Sequence, residues 1–132
     1  MSSTRLFATV TVLVLLSATT LQARSQARNT DFAPTAVAAS AQELKTYLAG
    51  KSYGIAYASG VRILAKFGTD GRMTAEGTNG TRYYDSGTWT VEDGKVCFAL
   101  YRTVASCTEA RFDAGTLYLK RTDGEIVRYE PK

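Results

Sequence analysis

The chain has 132 residues, with 16 Lys and Arg against 12 Asp and Glu and a formal charge of +4, which leaves room for one small domain. It has no histidine, so Ser-His-Asp triads, Cys-His pairs, a histidine base and histidine metal ligands are excluded, and an enzyme here would run on carboxylates, lysine or tyrosine. Removing Arg5 and Arg24 with residues 1–27 lowers the charge to +2 (4 − 2); nucleic-acid binding needs a more concentrated basic face, so no nucleic-acid partner is expected.

Met1 to Arg5 is a short start with one positive charge, and Leu6 to Leu16 is an unbroken apolar or Thr-containing run. That is the length of a signal-peptide core, whereas a bilayer span needs about 20 apolar residues. Residues 1–27 are therefore predicted as a signal peptide, cut after Ala23 or after Ala27. The first site puts Leu21 at the minus-three position; the second offers Ser25 and Ala27 as the small pair. No cysteine lies near either site, so no lipoprotein anchor is expected. The predicted location is periplasmic or extracellular, with no stable membrane anchor after cleavage.

Residues 28–39 have Pro34 and no apolar period, which predicts a flexible tether. Residues 40–132 then form a single β-rich domain. Ser40-Ala-Gln-Glu43 has the form of a capping box, Leu44, Tyr47 and Leu48 follow at helical spacing, and Gly50 is placed to end the turn. One short amphipathic helix is predicted over about 41–49, marginal by itself and in need of an apolar surface.

From Lys51 the period changes to 2. Tyr53, Ile55 and Tyr57 share a face; Val61, Ile63, Ala65 and Phe67 share the next; Met73 and Ala75 face in from 72–77. Asn79-Gly80 turns into a strand over 81–84, and Ser86-Gly87 is expected to break the run before 88–91. Strands over 96–101, 105–112, 116–121 and 125–130 follow. Asp70-Gly71, Asp93-Gly94, Asp113-Ala-Gly115 and Asp123-Gly124 provide turns along the chain, and the Asp-Gly dipeptides among them, like Asn79-Gly80, suit tight hairpins. The fold class is mainly β: an antiparallel meander curled into a small open or closed barrel, with one short N-terminal helix.

Cys97 and Cys107 are the only cysteines and lie equidistant from Arg102. Behind a signal peptide, two such residues predict one disulfide across a hairpin. Their spacing is not that of a Cys-x-x-Cys redox pair, and two thiolates without histidine make a poor zinc site, so no metal and no cofactor is expected. The turn aspartates Asp70, Asp93, Asp113 and Asp123 contain no calcium-loop pattern.

Trp89 alternates with Val91 and reads first as a central core aromatic, with a stacking platform at a pocket mouth as the functional alternative. Arg82, Tyr84, Tyr101 and Arg102 could gather near one end of the sheet and bind an anionic or glycan-like ligand; ordinary solvated strand faces are the plainer reading. With Trp89 these are the expected ligand or partner contacts. An enzyme would need a pocket joining two carboxylates such as Glu76 and Asp85.

Gly87-Thr-Trp89-Thr-Val91-Glu-Asp93-Gly94-Lys-Val-Cys97-Phe98, with Cys107, resembles a family of short exported bacterial proteins known as a domain of unknown function. Leu48-Ala-Gly50-Lys51, Phe67…Asp70-Gly71, Gly115-Thr116-Leu117-Tyr118 and Asp123-Gly124 match its opening and end, so the resemblance covers about 43–129. Thr108-Glu109 stands where the family has an aromatic. The resemblance implies a fold and no activity. Gly80-Thr-Arg82-Tyr83 followed by Trp89 is more faintly similar to small periplasmic barrels that inhibit lysozyme, departing from them around Glu92. The expected function is thus a non-enzymatic binding or interaction module of the cell envelope, partner and oligomeric state open. Inhibition of a lysozyme or secreted protease is the alternative, and a purely structural envelope role the second.

Overall fold

Alternation of apolar and polar residues from Lys51 onward produces a curled sheet with one filled face. The computed structural model describes residues 28–132; the predicted signal peptide lies outside them. After β1 (Val37–Ala38) and α1 (Ala41–Leu48) come β2 (Lys51–Ala56), β3 (Arg62–Phe67), β4 (Arg72–Gly77) and β5 (Tyr84–Glu92). β6 (Lys95–Leu100), β7 (Ser106–Asp113), β8 (Thr116–Lys120) and β9 (Ile126–Pro131) complete the chain. β2 to β9 pair in sequence, and β9 returns to β2, so eight antiparallel strands close into a barrel. Closure removes the exposed edges that an open meander would present.

The seam between the first and last barrel strands is narrow. Tyr53 pairs with Pro131 and Gly54 with Glu130, and the N–H of Lys132 donates to Ser52 O. Towards the other end a side chain takes over, Glu125 Oε1 accepting the N–H of Ala58 at 2.7 Å.

The barrel is filled rather than hollow at its centre. Phe67, from β3, meets Trp89 edge-on with ring centroids 5.3 Å apart and also touches the rings of Tyr53, Phe98 and Tyr129. Ile63, Ala65, Met73, Ala75, Val96, Ala110, Leu117, Leu119 and Val127 complete the lining. Each large apolar side chain buried in this way contributes about 1.5–3 kcal/mol.

The helix closes one end. Both halves of the capping box form, Glu43 N–H to Ser40 Oγ and Ser40 N–H to Glu43 Oε2. Leu44 and Leu48 are buried, and Tyr47 stacks on Tyr53 with centroids 5.1 Å apart. The Asp93-Gly94 hairpin receives it: Asp93 Oδ1 accepts the N–H of Ala41, and the Gly94 N–H donates to Ala39 O.

Residues 28–39, expected as a flexible tether, run instead as a strap along the outside of the barrel. Arg28 pairs with Asp123 at 2.7 Å, Asn29 O accepts the N–H of Ile126, and Arg111 lies over the ring of Phe32. β6 stops pairing with β7 at Lys95–Glu109, and β1 then takes its place beside Arg111 and Phe112. Free backbone groups of β7 are thereby paired, which an apolar-period search does not detect.

Gly87 also departs from expectation. Ser86-Gly87 does not break the run: β5 continues from Tyr84 to Glu92, and the expected strand over 81–84 is mostly loop, with only Tyr84 in β5. At Gly87 an added Cβ would lie 2.0 Å from Ala99 O, so the glycine admits the neighbouring backbone of β6. Gly87→Ala is expected to cost about 1–3 kcal/mol through this overpacking, read as a lower denaturation midpoint; an unchanged midpoint contradicts the close approach.

Candidate functional site

The two ends of the barrel differ in chemistry. The base is sealed by α1, while the mouth is formed by the loops at 57–61, 78–83, 101–105 and 121–125. Buried polar groups gather at this mouth, where interior positions of the strands run out of apolar residues.

Asp85 occupies an inward position on β5, two before Gly87 and four before Trp89, and is 2 % exposed. Its carboxylate accepts the N–H of Arg102 at 3.1 and 3.2 Å, the N–H of Ser86 at 2.9 Å and the Tyr83 hydroxyl at 3.2 Å. A buried carboxylate is costly without such partners; here they anchor the loop after β6. The Tyr101 N–H donates to Ser86 O at 3.1 Å. At the loop's other foot, Cys97 and Cys107 are bonded and sit directly opposite on β6 and β7. Closing so short a loop stabilises by about 2–3 kcal/mol in the chain-entropy account.

Across the mouth, Glu125 is the second buried carboxylate, 6 % exposed. It takes the Ala58 N–H on one oxygen and Arg121 Nη1 at 3.1 Å on the other. The Arg121 guanidinium lies 4.2 Å from the ring centre of Tyr57 and also reaches Asp123. The Glu125 N–H donates to Asp123, which with Arg121 and Arg28 holds that carboxyl below its ordinary range.

The expected contact residues divide. Arg82, Tyr84, Tyr101 and Arg102 all lie at the mouth end on exposed positions, Tyr84 being 56 % and Tyr101 90 % exposed. Trp89 does not join them: 6 % exposed, it points into the barrel towards the base, its Nε1–H donating to Gly68 O at 3.1 Å. It is a core aromatic and not a platform at the mouth. Val104, also 90 % exposed, went unnoticed because a single valine in a loop carries no periodic signal. Arg121 and Glu125 were missed for a similar reason, their roles arising from loops far apart in the chain.

The catalytic pair considered from sequence is not assembled. Ala75 is the register partner of Asp85 and Glu76 that of Tyr84, so the two carboxylates lie on opposite faces of the sheet. Glu76 is outside, paired with Lys66 at 3.3 Å. Glu92 lies close to both cysteines, but sulfurs bonded to each other offer no thiolate to an ion.

No family model, no curated protein and no solved structure matches the chain. Fold and site together define a small disulfide-clamped up-and-down β-barrel, plugged at its base by a helix and carrying anchored loops at its mouth.

Burial raises the tyrosine hydroxyls of this interior: Tyr53 to about 12, with Tyr47 adding to it, and Tyr57, Tyr83 and Tyr129 in the same direction. An acid whose folded pKa is raised stabilises the fold fully below its unfolded value and loses that contribution as pH rises through the folded one. Stability is therefore expected to hold up to about pH 10 and to fall above it. Phenolate absorbance followed beside far-ultraviolet dichroism checks this; full ionisation of all tyrosines near pH 10 with the fold intact contradicts it.

Proposed function

We propose that the chain is an exported, non-enzymatic binding module of the cell envelope that engages its partner with the loop between β6 and β7. The observation that carries this reading is the state of that loop. Tyr101 and Val104 are each 90 % exposed, yet the loop is fastened by the disulfide, by Asp85 and by Ser86 O. Single exposed apolar residues are commonplace on protein surfaces. Two in one anchored loop, next to the exposed Arg102, form a preorganised contact that loses little conformational freedom on binding. Further support comes from the lack of histidine, from the separation of Glu76 and Asp85, and from the resemblance of 87–107 to short exported proteins.

The same loop favours a second reading, inhibition of a lysozyme or secreted protease, since an anchored projecting loop suits insertion into an enzyme cleft. Cross-linking capture from the producing cell's envelope and secreted fractions tests both. The wild-type chain is expected to retain a specific partner that Val104→Ser and the Cys97→Ser/Cys107→Ser double variant lose. If that partner is a lysozyme or protease whose activity falls on titration with the chain, the inhibitor reading holds; undiminished activity removes it. No Val104-dependent partner removes the binding reading and leaves a structural role.

A further inference from the structure

The outer wall of the barrel beside this loop carries a shallow groove of about 690 Å³ across β3 to β6. Thr74, Ser86, Thr88 and Ala99 form its floor, with Arg72 and Tyr101 also lining it. A second hollow of about 280 Å³ shares Thr88 and Ala99 and continues past Ala105 to Ser106 and the disulfide at Cys107 on β7. The combined trough thus crosses from β3 to β7, roughly 19 Å at the ordinary strand spacing. Its floor is fixed by the close β5–β6 approach at Gly87 and by the Cys97–Cys107 bond.

Three properties of the trough define what would fill it. Hydroxyls both donate and accept, and the lining mixes them with apolar surface, so it suits a ligand that carries hydroxyls on apolar rings, as a sugar does. Tyr101 presents an exposed ring at the edge, able to stack on the apolar face of a sugar. The charge of the lining is net positive, Lys66 and Arg72 against the single carboxylate of Asp70, and Arg72 has no carboxylate within ion-pair distance among the described residues. Asp70, beside it, uses Oδ1 to accept the Arg72 N–H and close its turn. Lys66, also lining the groove, is held only by an exposed pair with Glu76, which a ligand can displace at little cost.

We infer that this wall binds an extended polysaccharide bearing carboxylate groups, with Arg72 and Lys66 taking a carboxylate and Tyr101 stacking on a ring. The inference rests on the reading of the chain as a binding module and assigns its ligand class, but it places the contact on the wall rather than at the tip of the loop. Shape and charge complementarity act together here, so the site discriminates against a neutral glycan and against a polyanion without sugar faces to stack.

Isothermal titration calorimetry of the mature chain with polygalacturonate, dextran and poly-L-glutamate tests it. Polygalacturonate is expected to bind, with both others weaker by about tenfold or more. Arg72→Ser and Thr88→Glu, both at exposed positions, are each expected to weaken polygalacturonate binding by about tenfold, and Arg128→Ser, exposed on β9 and outside the trough, to leave it unchanged. Absence of polygalacturonate binding, equal binding of dextran or poly-L-glutamate, or indifference to both wall substitutions overturns the inference. Polygalacturonate binding without Val104-dependent protein capture removes only the loop reading; capture without polygalacturonate binding removes only the polysaccharide.

Discussion

The return of β9 to β2 is the constraint on which the rest of this structure depends. Seven hairpins place each strand next to its predecessor, but only this long-range contact turns a curled sheet into a barrel. It is made with little backbone: the partners of Tyr53 and Gly54, the Lys132 N–H, and, at the mouth, Glu125 reaching Ala58. Closure in turn lets Phe67, Tyr53, Trp89 and Tyr129 meet around one centre.

A closed barrel of this size has two ends to seal, and the chain seals them by different chemistry. At the base, α1 supplies Leu44, Leu48 and Tyr47, so the seal is apolar. At the mouth, Asp85 and Glu125 tie loop backbone to the interior, so the seal is polar and every buried side-chain polar atom among the described residues has a partner. The first arrangement favours a passive stopper. The second holds neighbouring loops in defined positions while their tips stay in water, which is what a recognition surface requires. The wall groove shares Tyr101 with this surface, so one aromatic stands between the two proposed contacts.

Much of this architecture was legible in the sequence because its signals are local. The capping box at Ser40 and Glu43, the period-2 alternation in β2 to β4 and the turn dipeptides each encode a conformation within a few residues. The turns also carry a detail beyond the pattern: Asn79 and Gly80 both have positive φ, whereas at Asp70-Gly71, Asp93-Gly94 and Asp123-Gly124 only the glycine does. The equidistance of Cys97 and Cys107 from Arg102 gave the register of β6 and β7. What was not legible depends on distant partners. Gly87 reads as a breaker until the backbone of β6 is known to need its space, and once it joins β5 its parity turns Asp85 inward. Residues 28–39 look like a tether because their order comes from β7, β9 and Asp123. Trp89 could be read as core or platform until its depth in the barrel was known.

The functional account reduces to one physical claim, that the loop from Tyr101 to Ala105 is exposed and yet held still by Asp85. Backbone amide relaxation of that loop tests it most directly. The account predicts order parameters near those of rigid backbone, about 0.85, in the wild-type chain, falling towards about 0.6 or below in Asp85→Ala while the strands remain unchanged. A wild-type loop already below about 0.6, or one that stays rigid without the Asp85 carboxylate, would contradict it.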